Sequence, residues 1–172
     1  MPDWSSLKSR IESAKTAVIL THRKPDGDAM GSSLGLWFYL QSIGVNAQVI
    51  VPTDYGENLF WLPGNDSVIE YPKETEKSNQ MIADCDLLFC LDFNALSRIE
   101  EMEKPARDSK AFKVLVDHHR EPEDFADWTY SDIKASSTSE MIYDVITELG
   151  GTLNYDIAVN LYAGILTDTG SF

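Results

Sequence analysis

With 172 residues and 43% hydrophobic content, the chain can enclose one sizeable core, and a single globular domain is the default organisation. Its 28 acidic residues stand against 14 basic ones, a formal charge of −14 that argues against tight binding to long nucleic acid. A small phosphorylated substrate stays compatible, because bound divalent ions turn an acidic pocket into an anion site.

The N-terminal stretch has no basic segment leading into an apolar signal core, and no later run approaches a membrane span. A cytoplasmic protein without membrane contact is expected. Leu7, Ile11 and Ala14 recur at helical spacing and predict a leading helix before the apolar run Ala17-Val18-Ile19-Leu20, which reads as a buried strand ending at Thr21-His22. After a Pro/Gly/Asp loop, Leu34, Trp37, Phe38 and Leu40 predict a helix that begins near Gly31 and stops at Gly44. Ala47 to Val51 is the next strand. From Pro52 to Tyr71 the pattern breaks up, with a turn at Pro63-Gly64 and with Leu59, Phe60 and Trp61 as expected core anchors.

Leu87 to Leu91 is a continuous apolar strand that ends at Asp92, followed by a mixed helical segment from about Ser97 to Asp108. Val114-Leu115-Val116 leads directly into Asp117-His118-His119. A further strand is expected near Trp128–Tyr130, and helices around Thr138–Leu149 and Ile157–Leu166. Cys85 and Cys90 form no CxxC pair and read as core thiols, on opposite faces if one strand carries both. Apolar strands alternating with helices predict an α/β fold with a largely parallel sheet covered on both sides. His22, Asp92 and Asp117 each fall at the C-terminal side of a predicted strand, where such sheets collect their ligand-binding loops.

The densest polar signal is His22-Arg23-Lys24-Pro25-Asp26-Gly27-Asp28, one imidazole and two carboxylates within seven residues. Pro25 and Gly27 oppose a regular helix there and let the chain turn around an ion, although a solvated turn has the same composition. Nitrogen and oxygen donors suit manganese, magnesium or zinc. A calcium loop is a poor match, since the twelfth position from Asp26 is Trp37. Asp92 reads either as a ligand or as a helix N-cap, and Asp168 either as a ligand or as a helix-end cap. At the end of a strand, His118 and His119 can point in different directions, one to metal and one to substrate. His22, Asp26, Asp28, Asp92, His118 and Asp168 together suffice for two ions sharing one carboxylate. The chemistry that such a pair supports is phosphoryl transfer to activated water, with His119 as proton donor, Asp117 orienting a neighbouring ligand, and Arg98 and Arg120 as phosphate clamps or ordinary surface charges.

The segments His22 to Ala29, Asp92, Asp117-His118-His119 and Leu166-Thr167-Asp168-Thr169-Gly170 together resemble the DHH phosphoesterase superfamily. The continuation Ala29-Met30-Gly31-Ser32 and the stretch Ala135 to Glu140 are similar to the nanoRNase and 3′,5′-bisphosphate nucleotidase group within it. The resemblance implies a Rossmann-like three-layer domain, two divalent ions with manganese foremost and magnesium or cobalt as substitutes, and action on short RNA oligonucleotides or adenosine 3′,5′-bisphosphate. It also implies His22 and Asp26 on a first ion, Asp28, His118 and Asp168 on a second, and Asp92 between them. Asp117 then resembles the supporting acid and His119 the substrate-side histidine. Members of this family normally continue into a second, substrate-closing domain, for which residues 1–172 hold no equivalent, so the resemblance implies the catalytic lobe alone. A family II-like inorganic pyrophosphatase and a noncatalytic metal-binding regulatory module are the competing expectations.

Overall fold

Helix α1 (Trp4–Ser13) leads into strand β1 (Thr16–Thr21), helix α2 (Gly27–Ser42) and strand β2 (Asn46–Val51). After an irregular stretch come strand β3 (Ile69–Glu70), helix α3 (Thr75–Asp84), strand β4 (Leu87–Leu91), helix α4 (Glu103–Asp108) and strand β5 (Phe112–Asp117). Strand β6 (Trp128–Ser131) and helices α5 (Thr138–Glu148) and α6 (Tyr155–Asp168) follow. This computed structural model describes residues 2–170, so Met1 and the two residues after the Leu166–Gly170 motif, Ser171 and Phe172, lie outside the described residues.

The strands form one parallel sheet in the order β3-β2-β1-β4-β5-β6. Alternate residues of β1 and β4 feed separate cores. Ile19, Phe89 and Leu91 belong to the core shared with residues of α1, α2, α5 and α6, while Val18, Leu20, Leu88 and Cys90 belong to the core on the α3 side. Burial on both faces explains why the central strands read as unbroken apolar runs. Each large side chain so buried contributes about 1.5–3 kcal/mol.

Chain order reverses between β1 and β4, and a crevice at such a switch point is where parallel α/β sheets bind ligands. Thr21, at the end of β1, pairs with Leu91, at the end of β4, so His22 and Asp92 emerge side by side. No described helix is long and apolar enough to cross a membrane.

Helix α2 starts at Gly27 rather than near Gly31. Asp26 is its N-cap, its carboxylate accepting from the Asp28 and Ala29 amides at 3.0 Å each, which satisfies two of the N–H groups that a helix start leaves without partners. Pro25 and Gly27 are therefore the entry to a helix and not its interruption. Gly27, Gly31 and Gly35 recur at intervals of four and share one face of α2, against which α6 lies. A Cβ on Gly27 would strike Thr167, one on Gly31 the Asn160 carbonyl, and one on Gly35 the Leu161 side chain. Hydrogen at these positions lets the two helices touch along their length and delivers the C-terminal end of α6 to the N-terminal end of α2.

One further expectation needs correction, and two points need completing. Leu59 is buried, but Phe60 and Trp61 are 49% and 63% exposed, because a single 3-10 turn (Glu57–Leu59) leaves the next two residues facing outward. Cys85 and Cys90 are core thiols as expected, but they share one core, because Cys85 caps α3 and precedes β4, so no single strand carries both. Strand β3 lies in the stretch without a clear pattern, and helix α3 follows that stretch where no element is expected; α3 buries only Ser78 and Ile82, too narrow a stripe to announce itself.

Candidate metal centre

His22 and Asp92 follow β1 and β4, Asp117 is the last residue of β5 and His118 and His119 follow it, while Asp26 and Asp28 open α2 and Asp168 closes α6. All of these side chains meet over the switch point. The His22 Nε2 atom is 3.4 Å from Asp92 Oδ2 and 4.0 Å from Asp26 Oδ1. His118 Nε2 is 3.5 Å from Asp168 Oδ2, 3.6 Å from Asp92 Oδ1 and 4.0 Å from Asp28 Oδ2. Two groups of donor atoms result, His22/Asp26/Asp92 and Asp28/His118/Asp168, each gathered within 4.8 Å.

A third grouping, Asp92/His118/His119, has the same compactness. His119 Nδ1, however, lies 2.7 Å from Asp117 Oδ1, and the His119 amide donates to Asp117 Oδ2 at 3.2 Å. That nitrogen is already engaged. The other two imidazoles are oriented in the manner of metal ligands, with Nδ1 of His22 2.7 Å from the Arg23 carbonyl and Nδ1 of His118 3.4 Å from the Ala135 carbonyl. A carbonyl can only accept, so Nδ1 carries a proton, and Nε2 is the ring atom that faces the carboxylates.

The centre has a buried floor and an open rim. Side chains of Asp28 and Asp92 are 1% and 3% exposed, whereas Asp168 is 30% and Asp26 61% exposed. Burial pushes the Asp28 carboxyl up to about 7, with the Asp92 charge adding to the rise and amides of Ser139 and Thr138 opposing it. Burial also raises Asp168, and Asp92 and Asp26 reinforce it against the attraction of His118. For His22, burial favours the neutral ring, but Asp92, the Arg23 carbonyl and Asp26 together outweigh it and raise its pKa. Asp117 raises that of His119 against burial and the nearby Arg98 charge. Crowded carboxylates that resist ionisation together are the electrostatic condition a multivalent cation relieves, and this nitrogen and oxygen donor set suits manganese or magnesium.

Asp92 itself adopts φ +64°, the left-handed region that non-glycine residues seldom enter, while its amide donates to the Val116 carbonyl at 3.1 Å. The turn aims its side chain across the crevice instead of along the sheet. A helix-cap role does not account for Asp92, which no helix follows directly, whereas Asp168 is the last residue of α6. Arg98 is half-buried beside His119, and its carbonyl accepts from the Arg23 amide at 2.9 Å. Arg120 is exposed, and among the described residues its side chain makes no hydrogen bond or ion pair with the centre.

Thr138 and Ser139 belong to the site although the sequence reading does not place them there. Their amides donate to Asp28 Oδ2 and Oδ1 at 2.7 and 2.8 Å, and Thr138 Oγ1 donates to Asp92 Oδ1 at 2.9 Å. The available signal is the capping pattern Ser137-x-x-Glu140, which announces the N-terminus of α5 and hence a pair of free amides.

Residues 16–165 match the DHH family, N-terminal domain. The chain belongs to the DHH family. It is 32% identical over 173 residues to the probable bifunctional oligoribonuclease and PAP phosphatase NrnA of Streptococcus mutans, covering 100% of this chain and 51% of that protein. An exopolyphosphatase-related protein from Bacteroides fragilis superposes with a TM-score of 0.97 at 39% identity, over 98% of this chain and 50% of its own. At the level of fold alone, the DHH domain also resembles RecJ of Thermus thermophilus in complex with Mn2+, with a TM-score of 0.56 and 12% identity over 96% of this chain and 24% of that one. The chain spans about half the length of the curated relatives it matches.

Proposed function

We propose that this DHH domain holds two divalent ions, manganese foremost, and hydrolyses phosphate esters of short oligoribonucleotides or of adenosine 3′,5′-bisphosphate. The observation that carries the reading is that two donor groups meet at one buried carboxylate, with Asp92 Oδ2 toward His22 and Asp92 Oδ1 toward His118. His22 and Asp26 serve the first ion, Asp28, His118 and Asp168 the second, and Asp92 both. When bound, such ions supply an activated water and neutralise charge on the phosphoryl oxygens.

The chain's own groups do the rest. Asp117 holds His119 through Nδ1 and raises its pKa, so a protonated His119 keeps Nε2 to donate to a phosphoryl or leaving oxygen. Arg98, beside that imidazole, is the better placed phosphate clamp of the two arginines. The names of the NrnA relatives support the substrate class. The exposed rim at Asp26 supports a second lobe that closes over the substrate, which full turnover is expected to require.

A side-by-side assay tests this: manganese-dependent hydrolysis of an RNA dinucleotide, adenosine 3′,5′-bisphosphate and inorganic pyrophosphate by this chain and by a version extended with a compatible second lobe. Cleavage of the first two, faster in the extended protein, is the expected result. Release of orthophosphate from pyrophosphate alone would move the chain to the pyrophosphatase class. Tight manganese binding with no hydrolysis by either protein would make it a metal-binding module.

A further inference from the structure

The N-terminus of α5 touches carboxylates assigned to both ions. Asp28 lies 110 residues before Thr138 in sequence, yet both of its oxygens are engaged there, Oδ2 by the Thr138 amide and Oδ1 by the Ser139 amide. Thr138 then directs its hydroxyl to Asp92 Oδ1. Asp28 and Asp92 are buried and Thr138 and Ser139 are at 0% exposure, so water does not compete for these bonds. Ser137 caps the same helix through the Glu140 amide at 3.0 Å, which leaves the Thr138 and Ser139 amides free for an outside acceptor.

We infer that Thr138 is a positioning residue that locks Asp92 and Asp28 in one mutual orientation and so couples the two metal subsites. Resting on the two-ion reading, the inference assigns a role that the ligand set alone does not contain. A bridging carboxylate has to present one oxygen to each side. Rotation of Asp92 about its last side-chain bond would exchange or misalign Oδ1 and Oδ2, and the Thr138 hydroxyl selects the rotamer in which Oδ2 faces His22 and Oδ1 faces His118. The Thr138 amide meanwhile sets the Asp28 carboxylate from the same residue. The N-terminus of α5 also sets the positive end of its helix dipole against the Asp28 carboxylate. Ser139 has a second constraint, since a Cβ on Gly164 would overlap its side chain, so α6 holds the end of α5 in place.

The test is manganese titration by calorimetry, with metal analysis, on wild type, T138V and T138S. Valine keeps the shape and the amide but removes the hydroxyl, while serine keeps both donors. Both manganese binding steps of T138V should weaken by about 10- to 100-fold, the usual effect of removing a hydrogen bond to a metal ligand, and T138S should stay close to wild type. Unfolding of the metal-free proteins is followed in parallel, and T138A, which removes the same hydroxyl with less bulk, replaces T138V if valine prevents folding. Two-ion binding unchanged in the hydroxyl-free variant would overturn the positioning role and leave the two-ion reading intact. Weakening of one step alone would overturn the coupling. Failure of wild type to bind two ions would overturn both.

Discussion

His22 and Asp26 are contributed by a single turn of chain, the histidine buried and the aspartate open to solvent, whereas Asp28, His118 and Asp168 arrive from the start of α2, the end of β5 and the end of α6. The first group needs little more than the β1 loop and an N-cap. The second needs three elements to pack correctly, and Asp28, at its floor, is buried with its charge opposed by Asp92. Local chain geometry thus builds the first group and tertiary packing builds the second, with Asp92 facing both. Disturbing the fold should damage the second group first.

The largest expected effect comes from Asp92, where the distinction between halves disappears. D92N should weaken both manganese binding steps in calorimetry and lower the bound stoichiometry below two. Unchanged two-ion binding would remove Asp92 from its bridging role. Substituting His119 separates binding from chemistry: H119Q should reduce turnover by about 10²- to 10⁴-fold, the range for loss of a general acid, with manganese stoichiometry preserved. An equal loss of metal would place His119 among the ligands.

A smaller effect tests the packing argument directly. G31A puts a methyl group against the Asn160 carbonyl and must push α6 from α2. Overpacking of this kind costs about 1–3 kcal/mol, and each kcal/mol lowers Tm by about 2–4 °C in a chain of this size. Since Asp168 rides on α6, manganese binding at the second group should weaken while the first is retained, and uniform weakening of both would contradict the division.

The last effect lies in pH. In the folded metal-free chain Asp28 is raised from 3.8 to about 7, and Asp168, His22 and His119 are raised as well. Through Asp28 and Asp168 the native state holds extra protons from about pH 4 upward, and through His22 and His119 only above about pH 6.5. On account of these groups stability falls as pH rises, while the lowered carboxylates Asp3, Asp54, Asp86 and Asp108 act in the opposite sense nearer about pH 4. Thermal melts should show Tm falling from about pH 5 to 7 without metal, a shallower fall in D28N, and recovery with manganese, which binds the native state selectively. A metal-free Tm that climbs steadily from pH 5 to 7 would contradict the burial of Asp28 as a repelled carboxylate.

Sequence by itself determined the alternation of strands and helices, because the central strands are buried on both faces and their interiors are apolar runs. It also determined the positions of His22, Asp92, Asp117 and His118, since a polar residue just beyond such a run must sit at a strand end. The start of α2 is misplaced by sequence because a proline and a glycine look like a break until the Asp26 carboxylate is seen capping the amides that follow. Helix α3 and the outward turn of Phe60 and Trp61 are illegible there, as a narrow apolar stripe and a single 3-10 turn leave no period to read. Only the tertiary structure decided which residues share an oxygen's surroundings: that Gly27, Gly31 and Gly35 admit α6, that α6 thereby brings in Asp168, and that Thr138 reaches both Asp28 and Asp92. The reason is physical. Periodicity reports which side of an element is buried, whereas a hydrogen bond between residues 110 positions apart depends on how closely two elements approach, and that is set by the joint packing of all of them.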